Sequence, residues 1–293
     1  MRKRILIVLA LVLLISGYAD AFRTHPLANY VVDPDDLAFP LKSYSGVSAV
    51  GYRASASDSE KVVFEDGGNL YIAQPGNIYN YRFLTKGSHP SWSPDGEWIL
   101  FHRDSAIWRI KPSGENEEKL SNSRYAETQP SWSFDGTKIV FKRIISPNRE
   151  QLVVADPDMK NLKIVVDIPA YAHYPKFFPD GKRIIFGSNL MNEPSMLIDD
   201  MPNSDLWYVD IEEGTMHRLT TNGGLYATVR KWDDLIIYSQ HFVFPNGIVG
   251  SNLRWIDPET GENHPLREGY IWHGTPSFDW SGNYLFISVA HRP

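Results

Sequence analysis

Histidine offers the widest chemical range in this chain, which has nine histidines among 293 residues and no cysteine. Without thiols, a disulfide framework and a thiolate metal site are both excluded, and imidazole, amide, carboxylate and guanidinium groups remain. These groups recur at matched places. His89, Gln129, His173 and His273 stand just ahead of short Pro-x-Trp or Pro-x-Phe segments. His102, Arg103, Lys142, Arg143, His241 and His291 follow closely on apolar runs. Two chemistries suit such a set. Neutral imidazoles with an amide can hold a divalent metal, and a metal beside Arg and a His base can remove a proton next to a carboxylate. Alternatively, cations and imidazoles around a concave mouth focus field lines on an anionic ligand. The plain alternative is structural: hydrogen bonds between neighbouring elements for His89, His173 and His273, and solvated loops for Arg103, Lys142 and Arg143.

What would bring these residues together is repetition. Pro90-Ser-Trp-Ser-Pro-Asp-Gly-Glu-Trp-Ile-Leu-Phe101 returns as Pro130-Ser-Trp-Ser-Phe-Asp-Gly-Thr-Lys-Ile-Val-Phe141, then as Pro175-Lys-Phe-Phe-Pro-Asp-Gly-Lys-Arg-Ile-Ile-Phe186. Pro276-Ser-Phe-Asp-Trp-Ser-Gly-Asn-Tyr-Leu-Phe-Ile287 keeps the shape with Ser-Gly at the turn. A period of roughly 40–50 residues marks a repeat architecture. Each copy reads as a hairpin, with Gly supplying positive φ and Asp bonding locally in the turn. Phe64, Phe101, Phe141, Phe186, Tyr238 and Ile287 close six such hairpins. A looser strand–turn–strand unit follows most of them, such as Asp205-Leu-Trp-Tyr-Val-Asp and its return strand His217-Arg-Leu-Thr.

Four strands per repeat predict an all-β, six-bladed β-propeller. After Ile287 the sequence has six residues, too few for two outer strands. Residues 28–35 and 38–44 have the missing strand, acidic turn, strand pattern, so the N-terminal strands are expected to complete the last blade and cover its edge.

This geometry sorts side chains. Segments leading into first strands and out of second strands gather on one face, so His89, His102, Arg103, Gln129, Lys142, Arg143, His173, His241, His273 and His291 are the predicted ligand-binding set at a channel mouth. Arg230 is placed there too. The turns carrying Asp95, Asp135 and Asp180 make the opposite face acidic. Two long apolar loops, residues 187–204 and 241–251, leave second strands and are expected over the mouth, either packed on each other or open to a protein partner.

The first residues are a separate matter. Arg2-Lys3-Arg4, the apolar run Ile5 to Ser16 and Ala19-Asp20-Ala21 predict a signal peptide over 1–21, with an uncleaved N-terminal anchor as the alternative, leaving one propeller domain over 22–293 in the periplasm or outside the cell. The chain's net charge is −6, and removing the leader makes the body more acidic still. That argues against nucleic acid as a partner, and no membrane span is expected after cleavage. No Gly-x-Ser-x-Gly elbow and no Gly-rich phosphate loop occurs; Gly223-Gly224 follows a strand and reads as a turn.

The repeats at Trp92, Trp132 and Phe177 resemble the WD-like repeats of the TolB-like six-bladed propeller family, and the likeness spans the whole body of the chain. Similar repeats occur in oligogalacturonate lyases and in the propeller halves of prolyl-oligopeptidase-type peptidases. The resemblance implies a propeller that binds, and it says little of what is bound. TolB carries a further α/β domain, for which this length leaves no room. Resemblance to the lyases implies a polysaccharide lyase-like alternative, with a metal held by His and Gln in the channel. The favoured expectation is a non-catalytic, monomeric binding or scaffolding module with no cofactor, taking a protein partner or an anionic carbohydrate at the mouth.

Overall fold

Turn chemistry sets the repeat. In the computed structural model Gly96, Gly136 and Gly181 have φ of 69°, 73° and 68°, the left-handed values that Asp-Gly turns need. Ahead of the glycine, Ser93 Oγ donates to Asp95 Oδ1 at 2.5 Å and accepts from Trp98 N at 2.9 Å. Ser133, Asp135 and Lys138 repeat the same bonds at 2.6 and 2.9 Å. The fifth turn is shorter, and Asp234, with φ 56°, takes the glycine's place.

The structure describes residues 6–9, 52–53, 61–74, 77–191, 197–198, 201–202, 204–243, 249–267, 271–278 and 284–291. Within them lie five four-stranded antiparallel blades. Blade one comprises Tyr52–Arg53, Lys61–Asp66, Asn69–Gln74 and Asn77–Lys86. Blade two comprises Ser88–Trp92, Ile99–Arg103, Ala106–Ile110 and Glu118–Lys119. Blade three runs through Ala126–Trp132, Ile139–Ser146, Arg149–Ala155 and Lys163–Ile168. Blade four holds His173–Phe177, Arg183–Ser188, Asp205–Asp210 and Met216–Arg218. Blade five holds Leu225–Val229, Ile236–Val243, Val249–Ile256 and Asn263–Arg267.

Of the six expected four-stranded blades, five stand among the described residues. There the sixth sheet has three strands: Ile271–Phe278, Tyr284–His291 and, outermost and parallel, Leu6–Leu9 against Tyr284–Ile287. The strand added from the N-terminus comes from the apolar leader, whereas residues 28–44, expected in that place, lie outside the described residues.

Blade faces bury large side chains. Phe64 (blade one) clusters with Trp92 and Phe101 (blade two), all 0–1% exposed. Leu100 and Ile107 pack on Trp132 and Phe141 of blade three. Blades three and four share Val140, Leu152, Phe177 and Phe186, and blades four and five share Phe178, Ile185, Val229 and Tyr238. Each such aromatic contributes about 1.5–3 kcal/mol by leaving water. With no disulfide available, these faces carry the stability.

Gly224 marks a tight crossing between blades. A Cβ there would lie 2.8 Å from Leu206 Cγ and 3.0 Å from Thr220 Oγ1. Thr220 Oγ1 already accepts from Leu206 N at 2.9 Å, so it cannot withdraw freely. Gly224→Val is therefore expected to destabilise the fold by roughly 1–3 kcal/mol, read as a lower midpoint in urea denaturation. An unchanged midpoint would contradict this packing.

Candidate functional site

The site begins as a defect in the ladders. In blades two to five the pairing between first and second strands slips between Ser88 and Ser91, Thr128 and Ser131, His173 and Lys176, and Leu225 and Thr228. One residue in each gap is left-handed: His89, Gln129, Tyr174 and Tyr226, with φ of 52–54°. A non-glycine residue pays on the order of 1–2 kcal/mol for that conformation. In three blades a proline follows and restricts this residue further. Bulges of this kind re-aim side chains.

Here they aim at the axis. The His89 ring lies 5.3 Å from Tyr174, although the two come from blades two and four. Tyr174 lies 4.4 Å from Tyr226, their hydroxyls 3.3 Å apart, and Tyr226 lies 5.8 Å from His241. His102 stands 5.0 Å from His89, and His173 5.8 Å from Tyr174. Blades that are not neighbours meet in this way only across the central channel. The amides freed by the bulges bond to side chains of the preceding blade. His89 N donates to Glu65 Oε2 at 2.9 Å, Gln129 N to His102 Nδ1 at 3.5 Å, and Tyr174 N to Gln129 Oε1 at 2.8 Å.

The cations at this mouth are engaged. Arg143 donates twice to Glu127 Oε1, at 2.8 and 2.6 Å, and Glu127 is 1% exposed. Lys142 Nζ donates to Glu150 Oε1 at 3.1 Å, and Glu150 Oε2 accepts from Ala172 N at 2.6 Å. Arg103 bonds Glu117 at 2.6 Å and lies 4.0 Å above the Trp108 ring. Burial, and then the Lys142 charge, holds His89 near pKa 4 and His173 near 3. For His102, burial and then His89 do the same, to about 4. These imidazoles are neutral at pH 7, so the mouth is a collar of uncharged rings surrounded by closed ion pairs.

Of the expected set, His89, His102, Gln129 and His173 line or brace this collar, with His241 against Tyr226. Arg103, Lys142 and Arg143 ring it as ion-paired supports. His273 and His291 fall on the two inner strands of the sixth sheet, but their side chains lie outside the described residues. Arg230 belongs to the other face, where it binds Asp233 at the fifth turn. Tyr226 and Glu65 were missed. Tyr226 precedes Ala227 rather than proline, and only alignment on the bulge finds it. Among the described residues no three His, Asp or Glu side chains converge as a metal ion requires. Of the two apolar loops, the hairpin Leu197–Ile198 with Met201–Pro202 touches the second strand of blade five. The rest lies largely outside the described residues.

No family model matches the chain. An uncharacterised protein of Agrobacterium fabrum is 38% identical over 56 residues, which span 18% of this chain and 19% of that protein. Among solved structures, a TolB candidate from Agrobacterium tumefaciens superposes with a TM-score of 0.66 at 15% identity, over 86% of this chain and 92% of its own. TolB from Acinetobacter baumannii gives 0.58 at 20% identity, over 79% and 55%. An oligogalacturonate lyase in complex with manganese gives 0.55 at 13%, over 80% and 69%. The chain thus has the β-propeller fold that these structures share.

Depressed histidine pKa values make stability pH-dependent. The unfolded chain takes up protons below about pH 6.5 and the folded one does not, so stability is present above that value and falls as pH drops to about 4. His173 adds loss with no hydrogen bond to lose, since neither ring nitrogen has a partner among the described residues and its ring stacks on Tyr171 at 5.3 Å. His173→Phe should keep the melting temperature at pH 7.5 and lessen its drop at pH 4.5. A steeper drop in the variant would refute the assignment.

Proposed function

We propose that the protein is an exported, non-catalytic binding or scaffolding module, a six-bladed ring in the TolB-like manner, that takes its ligand at the channel mouth. The observation that carries this reading is the contact of His89, Tyr174 and Tyr226 across the axis. Flat rings held at fixed angles by strained backbone form a preorganised surface, which lowers the entropy lost on binding. Among the described residues, His89 Nδ1 and Glu127 Oε2 are buried without hydrogen-bond partners.

The chemistry of the collar favours an uncharged polar contact over a polyanion. For an acidic ligand to use Arg103, Lys142 or Arg143 it must displace Glu117, Glu150 or Glu127, two of which are buried. Breaking a buried pair costs roughly 3–5 kcal/mol. An anionic carbohydrate or acidic protein partner at these cations is thus the weaker form of the proposal. The lyase-like alternative needs a metal, and the described residues do not present a fitting set.

Export rests on the leader, and ring closure on the sixth sheet. Cleavage after Ala21 removes Leu6–Leu9 from that sheet and leaves its edge open for residues 28–44. Terminal sequencing of the protein recovered from its own envelope should read Phe22 first; an intact Met1 would refute cleavage and assign the leader as an uncleaved anchor. For binding, a panel of neutral and acidic oligosaccharides and peptides should be screened against wild type and a Tyr174→Ala, Tyr226→Ala double variant. Neutral ligands are expected to lose about tenfold or more in the variant, each ring contributing on the order of 1 kcal/mol. Selection of acidic ligands only, abolished by Arg103→Ala, Lys142→Ala and Arg143→Ala together, would instead restore the electrostatic reading.

A further inference from the structure

The residue after each hairpin-closing aromatic occupies one register position in the second strands: Glu65, His102, Lys142, Gly187 and Ser239 in blades one to five. In blades one and two its side chain crosses to the next blade and takes the amide freed by the bulge. Glu65 Oε2 accepts from His89 N at 2.9 Å, and His102 Nδ1 from Gln129 N at 3.5 Å. The His102 ring thereby stands 5.0 Å from His89, at the edge of the collar. Lys142 bonds Glu150 instead, and at Gly187 there is no room, since a Cβ would lie 2.6 Å from Leu225 Cδ1. Glu65 is the one carboxylate that this position delivers in the five blades.

Distances fix its place. Oε2 lies 3.9 Å from His89 Nδ1, and the His89 ring stacks on Tyr174 at 5.3 Å with 26° between the planes. Burial first, then Tyr226 and then the Glu65 charge, hold the Tyr174 hydroxyl well above the usual tyrosine range, so carboxylate and ring act on each other. The Glu65 side chain is 22% exposed, and its Oε1 accepts no hydrogen bond among the described residues. Arg103, Lys142 and Arg143 are matched by Glu117, Glu150 and Glu127, while His89 and His102 are neutral at pH 7. Among the described residues of the collar, one negative charge is left over, on Glu65.

We infer that Glu65 with the Tyr174 and Tyr226 rings forms a receptor for a single organic cation, an alkylammonium or guanidinium group, at the channel mouth. This rests on the reading above that the channel is the ligand site. A hydrogen bond from such a cation to a carboxylate is charge-assisted, and ring faces attract a cation within about 6 Å of their centroids. Glu65 is already held by the His89 amide, so little freedom is lost when the cation arrives. A small hard cation fits poorly, because calcium takes about 6–8 oxygen ligands and the collar offers one carboxylate between rings. One carboxylate among closed ion pairs selects one positive charge.

Glu65→Gln keeps the side-chain length and leaves an amide oxygen for His89 N, so the variant is expected to fold. The probes, titrated by NMR at neutral pH and low salt, are n-butylammonium, N-acetyl-L-lysinamide and the uncharged Nε-acetylated form of the latter. Both cations should bind wild type, and bind Glu65→Gln at least about tenfold more weakly. The uncharged form should bind wild type at least about tenfold more weakly than its charged parent, a comparison that needs no variant. Equal affinity for n-butylammonium and N-acetyl-L-lysinamide assigns a free amine, and preference for the lysine derivative assigns a side chain presented by a protein partner. No response to either cation, undiminished binding by Glu65→Gln, or equal affinity for the charged and uncharged lysine derivatives overturns the inference. If the uncharged form binds wild type and Glu65→Gln alike and is lost in the Tyr174→Ala, Tyr226→Ala double variant, the channel remains the ligand site and only the role of Glu65 falls.

Discussion

Every blade from two to five depends on one backbone compromise: a non-glycine residue held left-handed at the mouth end of its first strand. The slip that produces it takes that residue's amide out of the ladder, and a freed amide in a protein interior needs a partner. Glu65, His102 and Gln129 supply that partner from the preceding blade. The same slip turns His89, Tyr174 and Tyr226 toward the axis. Ring cohesion and the collar therefore come from one geometric feature, and a change that relaxed the bulge would loosen both.

Electrostatics follows from this crowding. Neighbouring strands and their connections bring arginine, lysine and glutamate to a narrow rim, and there the opposite charges close on each other. Arg143 with Glu127 and Lys142 with Glu150 are buried pairs whose value lies in fixing position more than in net stability. Glu150 also accepts from Ala172 N and so ties blade three to the segment entering blade four. The histidines inside this rim lose their charge for the same reason, because water is excluded and Lys142 is near. A mouth that looks cationic in composition is electrically quiet in three dimensions.

The opposite face is settled just as locally: the carboxylates of Asp95, Asp135 and Asp180 bond the backbone of their own turns.

The repeated Trp-Ser-Pro-Asp-Gly hairpins made the all-β propeller legible before any coordinates, because turn chemistry and strand alternation are local and each copy repeats them. Legible too was the grouping of His89, His102, Gln129 and His173 on one face, since in a repeat protein sequence position maps directly onto height. Pairing was not legible. Whether Arg103, Lys142 and Arg143 stand free or closed depends on Glu117, Glu150 and Glu127, which arrive from other strands at distances no spacing rule encodes. Nor was the bulge, which set Tyr226 beside Tyr174 from a blade lacking the Pro-Asp-Gly signature. Local rules decided the blades; contacts across the axis between residues distant in the chain decided which rings meet, and neighbouring strands within a blade decided which charges are closed.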